Sequence, residues 1–160
     1  ARERMARRAP TGSVWHWYPH EGLRRVETGP LSGGNGIALS PDGETLWLAE
    51  WAAGRLVAFD LARGTRREIA LGYLPDNLHF TADGQLLIAG QAAAVADILA
   101  CGARCPQPWL VARFNPADDG QTLLLHGDGS ERIDYAAGAV PVDDAVWVTL
   151  RSGDGRVGRF

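Results

Sequence analysis

Apolar and polar residues alternate in short runs along most of the chain, and Gly, Pro, Asp and Asn separate the runs. Alternation with a period of two is typical of β-strands, whereas a helical period of apolar positions is almost absent. The runs predict strands near 13–18, 23–28, 36–40, 45–50, 54–60, 65–71, 77–81, 86–91, 109–114, 121–126, 135–142, 145–150 and 156–160. Such regular spacing predicts an all-β sandwich, barrel or propeller.

An internal repeat favours the propeller. Residues 37–50, I-A-L-S-P-D-G-E-T-L-W-L-A-E, align with residues 78–91, L-H-F-T-A-D-G-Q-L-L-I-A-G-Q, at an offset of 41 positions, and 138–151 form a weaker third copy. Each copy joins two apolar strands through an Asp-Gly-type turn, whose residues tolerate the positive φ of a tight hairpin. A period of ~40 residues carrying four strands is that of one propeller blade. We therefore predict an all-β β-propeller fold with about three four-stranded antiparallel blades.

The predicted blades are too few to close a ring, because closed propellers have at least ~4 blades. The sequence therefore predicts the C-terminal part of a larger propeller, in which 13–18 and 23–28 are the outer strands of an incomplete blade. The partial propeller domain is expected to span 12–160, after a frayed basic N-terminus at 1–11. An insertion loop at 92–108, with a short helix near 92–100, is the candidate lid. The Trp residues of the strands are expected to pack between blades.

Composition indicates a single globular domain, with 160 residues, 46% hydrophobic residues and a formal net charge of −3. No apolar run approaches the ~18 residues of a membrane span, so none is expected. The basic cluster Arg2, Arg4, Arg7 and Arg8 is interpreted as a solvated chain end rather than a nucleic-acid site. Arg supplies all 16 cationic residues, which is typical of a GC-rich bacterial genome. The sequence leaves the cellular compartment open.

The two cysteines, Cys101 and Cys105, are too few for a disulfide framework. Structural zinc prefers four ligands, and the nearest histidine is His126, so a zinc site is disfavoured. Free thiols and one local disulfide remain open.

Oxygen-bearing side chains recur at one position of the repeat. Asn35 and Asp76 are 41 positions apart, and Asn77 follows directly. Each position precedes the predicted innermost strand of a blade, which lines the central channel. A hard cation such as Ca²⁺ binds six to eight oxygen ligands from carboxylates and amide carbonyls. Asn35, Asp76 and Asn77 are thus candidate metal ligands, although Asn-Gly and Asp-Asn pairs alone also suit turns.

These motifs resemble a known family. Residues 35–50 and 74–90 are similar to the second half of calcium-dependent six-bladed propeller hydrolases, the senescence-marker-protein/gluconolactonase/strictosidine-synthase-like superfamily, and most to its paraoxonase/arylesterase-like branch. The resemblance implies the C-terminal half of a six-bladed β-propeller, with Asn35, Asp76 and Asn77 as calcium ligands. The remaining ligands and the proposed His base of the family would come from the first half, which has no counterpart here.

The activity implied is hydrolysis of small-molecule lactones or aryl esters. Ca²⁺, or another divalent cation, would polarise the substrate carbonyl, stabilise the oxyanion and lower the pKa of a bound water. A base from the first half would take the proton. His79, in the inner strand beside Leu78, is the alternative base, but a hydrogen-bonded strand histidine is the favoured interpretation of this residue.

Two other classes of function remain open. One is a strictosidine synthase-like lyase, or a relative that has lost metal chemistry. The other is a non-enzymatic interaction propeller, like many proteins with blade repeats of this length. The open strand edges of an incomplete ring also allow edge-to-edge self-association. The sequence does not identify the substrate, whose specificity is expected in loops that include 92–108.

Overall fold

The computed structural model describes residues 2–130, 134–150 and 157–160. Antiparallel strands make up most of this part of the chain, as the alternating sequence pattern predicts. The strands are β1 Gly12–Tyr18, β2 Gly22–Leu31, β3 Gly34–Leu39, β4 Thr45–Glu50, β5 Arg55–Asp60, β6 Arg66–Ala70, β7 Leu74–Phe80, β8 Leu86–Gln91, β9 Trp109–Phe114, β10 Gln121–Gly127, β11 Ala136–Val142, β12 Ala145–Leu150 and β13 Val157–Arg159. Each predicted strand has a counterpart within a few residues.

The strands form four successive antiparallel sheets. A β1-β2 ribbon comes first, and a first blade of order β3-β4-β5-β6 follows. The second blade has the order β7-β8-β9-β10, and the third blade contains β11-β12-β13. The repeat of 41 residues therefore corresponds to one blade, and the predicted all-β propeller architecture is confirmed. The third blade shows three strands within the described residues.

Short helices lie outside the blades. Helix α1 spans Arg2–Ala6 and α2 spans Val95–Ala100, and a 3-10 helix occupies Trp51–Ala53. Helix α2 lies in the predicted insertion, whereas the sequence pattern missed α1 and the 3-10 helix because both are too short to show a period. None of the described helices is long and apolar enough to cross a membrane. The domain boundary near residue 11 stays a prediction.

The insertion is closed by a disulfide between Cys101 and Cys105, whose Cα atoms are 5.0 Å apart. Of the two alternatives left by the sequence, the local disulfide is the one formed. Cys105 is buried beside Val95 and Ile98 of α2, so the bridge holds the end of the helix against the body of the protein.

The blades stack face to face through apolar side chains that alternate along each strand. Leu48 and Val57 of the first blade pack with Val14 of the ribbon. Trp47 of the first blade packs edge-on against Phe114 of the second, with ring centroids 5.4 Å apart. Apolar side chains on both faces of the first two blades are buried, so these blades form the core of the described structure. Removal of apolar surface from water is favourable and stabilises this arrangement.

The outward faces of the two end sheets remain open. Trp15 and Trp17 on the ribbon are 57% and 61% exposed, and Trp147 on the third blade is 36% exposed. The expectation that every strand Trp packs between blades is therefore wrong for these three, because no further sheet among the described residues covers them. Trp47 and Trp109 are buried as expected.

Candidate metal centre

The first strands of the three blades lie side by side. Strand β3 contacts β7, and β7 contacts β11, so these are the inner strands of the propeller. Each is bulged at the same place. The register shifts between Gly34 and Ile37 in β3, and between Pro75 and Leu78 in β7. A bulge re-aims the side chains of its extra residues and is common beside functional sites.

The bulges contain the predicted metal ligands. Asn35-Gly36 occupies the bulge of β3, and Asp76-Asn77 occupies that of β7. Both pairs therefore lie inside strands, and the alternative that they are plain turns does not hold. In β11 the corresponding register shift surrounds Ala137, which supplies no side-chain oxygen.

Gly36 explains why a glycine follows Asn35. A Cβ atom at this position would lie 2.7 Å from Asn77 Cα and closer still to the carbonyl oxygen of Asp76. The φ of Gly36 is not positive, so its role is close approach of two backbones rather than a special dihedral. The contact places Asn35 beside the Asp76-Asn77 pair.

Asp76 is the buried member of the set, with 6% of its surface exposed. Its Oδ1 accepts a hydrogen bond from Asn77 Nδ2 at 3.1 Å, and its Oδ2 accepts one from Gln91 Nε2 at 3.3 Å. A buried carboxylate costs free energy unless charge or hydrogen bonds compensate it. The two amide donors supply part of that compensation.

Asn77 is exposed, and its amide is oriented by two acceptors. Nδ2 donates to Asp76 and also to the carbonyl oxygen of Ala137 in the third blade, at 2.8 Å. Nδ2 carries the only hydrogen-bond donors of the Asn77 side chain, so Nδ2 lies next to the two acceptors. The oxygen Oδ1 therefore points away from both. Asn77 therefore joins the second and third blades and presents its oxygen elsewhere.

Asn35 is exposed and lines a cavity of about 190 Å³ between the ribbon and β3, together with Trp15 and Leu48. The structure thus joins Asp76 and Asn77 by a direct hydrogen bond. It brings Asn35 near them through the backbone contact at Gly36.

The donor set suits part of a calcium site. A carboxylate and two amide oxygens are ligands that Ca²⁺ prefers, but they are three of the six to eight oxygens it needs. Within the described ranges, no group of three or more His, Cys, Asp or Glu side chains is placed to hold a metal. Any site here therefore depends on amide oxygens.

His79, the candidate base, is exposed in β7 and lies opposite Leu87 of β8 in the strand register. Its role as a base stays a prediction.

Two residues of this centre, Gln91 and Trp51, are not among the residues predicted from the sequence. Gln91 is fully buried, donates to Asp76 and accepts a hydrogen bond from Trp51 Nε1 at 2.7 Å. One signal was available: a polar residue ends the apolar strand at Gln91, and Glu50 does so 41 positions earlier.

Similarity to known proteins is found at the level of structure only. No family model matches the chain, and no curated protein matches it by sequence. A candidate gluconolactonase is 16% identical over 97% of this chain and 52% of its own, with a TM-score of 0.68. A luciferin-regenerating enzyme is 17% identical over 89% of this chain and 45% of its own, with a TM-score of 0.61. A chain of a nidogen/laminin complex is 13% identical over 92% of this chain and 56% of its own, with a TM-score of 0.64.

These similarities show the fold, since identities of 13–17% say little about shared chemistry. The chain spans about half the length of the solved structures it matches. The matched structures include enzymes and a chain of a protein–protein complex. One fold commonly supports many unrelated functions.

Proposed function

We propose that this chain is part of a calcium-dependent hydrolase that acts on lactones or aryl esters. One observation carries the proposal: Asn35 and Asp76-Asn77 occupy the same bulge of neighbouring inner strands, one blade apart. Residues with unrelated local roles would have no reason to place side-chain oxygens at the same bulge in two blades. Convergence on one cation gives the recurrence a physical cause, because each ligand must reach the same point.

We further propose that the three blades are the C-terminal half of a six-bladed propeller of the paraoxonase/arylesterase-like branch. The half-length overlap with the matched structures supports this. The exposed apolar faces of the ribbon, at Trp15 and Trp17, and of the third blade, at Trp147, also support the half-propeller proposal. A complete ring would cover both faces. A second copy of the chain, pairing through the same faces, is the competing arrangement.

The residues have distinct roles in this proposal. Asp76 supplies the one negative charge of the three, held by amide donors on both oxygens. Asn35 and Asn77 supply neutral oxygens, and Gly36 sets the separation of the two strands. A bound Ca²⁺ would polarise the scissile carbonyl, stabilise the oxyanion and lower the pKa of an attacking water. His79 is the candidate in this chain for accepting the proton, two residues beyond Asn77 on the same strand.

The experiment is a hydrolysis assay of the complete six-bladed protein with a phenyl ester and a γ-lactone, run with EDTA and then with Ca²⁺ restored. The proposal expects activity that chelation abolishes, that Ca²⁺ restores, and that Asp76→Asn removes. Asp42→Asn, in an exposed turn of the first blade, is the matched control and should retain activity. Hydrolysis that is indifferent to EDTA, or equal in Asp76→Asn and the wild-type chain, would overturn the proposal. So would the absence of hydrolysis with Ca²⁺ present.

The second candidate is a non-enzymatic interaction propeller. The similarity to a chain of the nidogen/laminin complex and the exposed pair Trp15 and Trp17 favour it. Exposed aromatic side chains are enriched where proteins bind each other. This candidate predicts no calcium-dependent hydrolysis, so the same assay separates the two. A strictosidine synthase-like lyase stays a third proposal, and it predicts turnover without calcium or none.

A further inference from the structure

A chain of hydrogen bonds crosses all three blades behind the candidate metal centre. The indole nitrogen of Trp51, at the end of the first blade's β4, donates to Gln91 Oε1 at 2.7 Å. Gln91 Nε2 donates to Asp76 Oδ2 at 3.3 Å and to the carbonyl oxygen of Ala136 in the third blade at 2.8 Å. We call the set Trp51, Gln91 and Asp76 the amide bridge. Its members are all buried.

The chemistry of the partners fixes the residue type at position 91. An indole N–H is only a donor, so it requires an acceptor. A backbone carbonyl and a carboxylate are acceptors, so they require donors. A primary amide is planar, with one acceptor oxygen on one side of its carbon atom and an NH₂ group with two donors on the other. Gln91 therefore satisfies all three partners at once, and Trp51 determines which end of the amide faces Asp76.

The equivalent position of the first blade shows that the bridge is specific to the second. Glu50 lies 41 residues before Gln91 and is equally buried. Its carboxylate pairs with Arg55 and, at 3.5 Å, with Arg66, and it accepts the backbone N–H of Ser32 at 2.6 Å. Glu50 thus forms an ion-pair network among the described residues of the first blade, whereas Gln91 carries no charge and turns toward a candidate ligand.

We propose that Gln91 is a positioning residue, which with Trp51 holds the Asp76 carboxylate in the orientation that binds the cation. The inference rests on the proposed calcium site and adds to it the residues that orient its charged ligand. Groups that hydrogen-bond a metal ligand from behind fix its geometry, and their removal typically lowers metal affinity by about 10–100-fold. Gln91 has the position, the burial and the donor pattern for this role.

The first measurement is a calcium titration by calorimetry on the wild-type chain, Gln91→Met and Val57→Ala. Met preserves the unbranched shape of Gln but cannot donate to Asp76. We expect Gln91→Met to lose about 10–100-fold in Ca²⁺ affinity. Val57→Ala truncates a fully buried side chain of the first blade, away from the centre, and should destabilise the fold while leaving affinity unchanged. Equal affinity of Gln91→Met and the wild-type chain overturns the inference, as does an equal loss in Val57→Ala.

A second measurement reads the bridge without metal. The indole N–H resonance of Trp51, assigned with Trp51→Phe, should lose its hydrogen-bonded shift and its protection from solvent exchange in Gln91→Met. It should also shift in Asp76→Asn, because the carboxylate anchors the other end of the amide. An unchanged resonance in both variants overturns the inference. If the wild-type chain takes up no Ca²⁺ although the resonance responds as expected, the proposed function fails and the bridge stands as a structural link between the blades.

Discussion

The first and second blades share one backbone plan, yet they use its central position differently. Both inner strands carry a bulge at the same repeat position. At the bulge of the first blade, Asn35 is exposed beside a glycine. In the second blade, Asp76 is buried and hydrogen-bonded, and the exposed side chain is that of the next residue, Asn77.

The two blades share their backbone geometry, whereas the neighbours of each bulge determine its chemistry. The strand-connecting turns match almost atom for atom: Ser40 Oγ donates to Asp42, and Thr81 Oγ1 donates to Asp83. At the bulges, by contrast, only the backbone is repeated. The buried carboxylate of Asp76 needs compensation from its neighbours. The amides of Asn77 and Gln91, which also donate to carbonyl oxygens of the third blade, supply part of it.

The largest effect is expected where the two bulges touch. Gly36→Ala would place a methyl group against the backbone of Asp76 and Asn77, which cannot yield as a side chain can. We expect a loss of about 1–3 kcal/mol or more in the free energy of unfolding, together with loss of any calcium binding. Chemical denaturation measures the first quantity. Gly102→Ala is the control, because nothing lies near its Cβ, and an equal effect there would refute the close contact.

The second effect separates the buried candidate ligand, Asp76, from the exposed candidate ligand, Asn35. Asp76→Ala removes one of the two acceptors described for each of the amides of Gln91 and Asn77, and we expect it to cost about 1–3 kcal/mol of stability. Asn35→Ala changes an exposed side chain, and its effect on stability should stay within about 0.5 kcal/mol. Urea denaturation of both variants checks the contrast. Similar losses in the two variants would mean that the bulges are equivalent after all.

A smaller effect concerns Tyr73, the residue directly before β7. Tyr73 is buried, and its hydroxyl has no hydrogen-bond partner among the described residues. Tyr73→Phe should therefore be neutral or stabilise by up to about 1 kcal/mol.

Alkaline unfolding tests the same residue. Burial raises the pKa of Tyr73 above its ordinary value of 10.0. The stability linked to it is therefore present below pH 10 and is lost as pH rises above that value. In Tyr73→Phe, the free energy of unfolding should fall less steeply between pH 10 and 11 than in the wild-type chain. An equal slope in the two proteins would contradict this prediction.

The smallest effect is expected where the blades are most alike. The hydroxyl of Ser40 lowers the pKa of Asp42, and that of Thr81 lowers the pKa of Asp83, from an ordinary value of 3.8. A lowered pKa in the folded state adds stability above that value, which is lost as pH falls below it. Asp42→Asn and Asp83→Asn should each reduce the acid slope of stability slightly and equally. Thermal unfolding between pH 2.5 and 5 measures the slopes, and unequal slopes would break the equivalence of the turns.

The strands could be read from the sequence because they depend on local alternation and on turn residues. The repeat then gave the blade and the position of Asn35 and Asp76. The bridge could not be read in the same way, because Trp51, Gln91 and Asp76 meet through packing of separate blades. The reason for Gly36 was equally hidden, since it lies in the backbone of another blade. Likewise, the open faces at Trp15 and Trp17 depend on which sheets are neighbours.

In the proposed site, Asn35 and Asp76 hold one cation across two blades. A calcium titration by calorimetry on the wild-type chain, Asn35→Ala, Asp76→Asn and the double variant tests it most directly. The account predicts binding by the wild-type chain, a loss in each single variant, and a double variant no weaker than the worse single one, because the ligands act as a unit. Binding that survives Asn35→Ala, or no binding by the complete propeller at millimolar Ca²⁺, would contradict it.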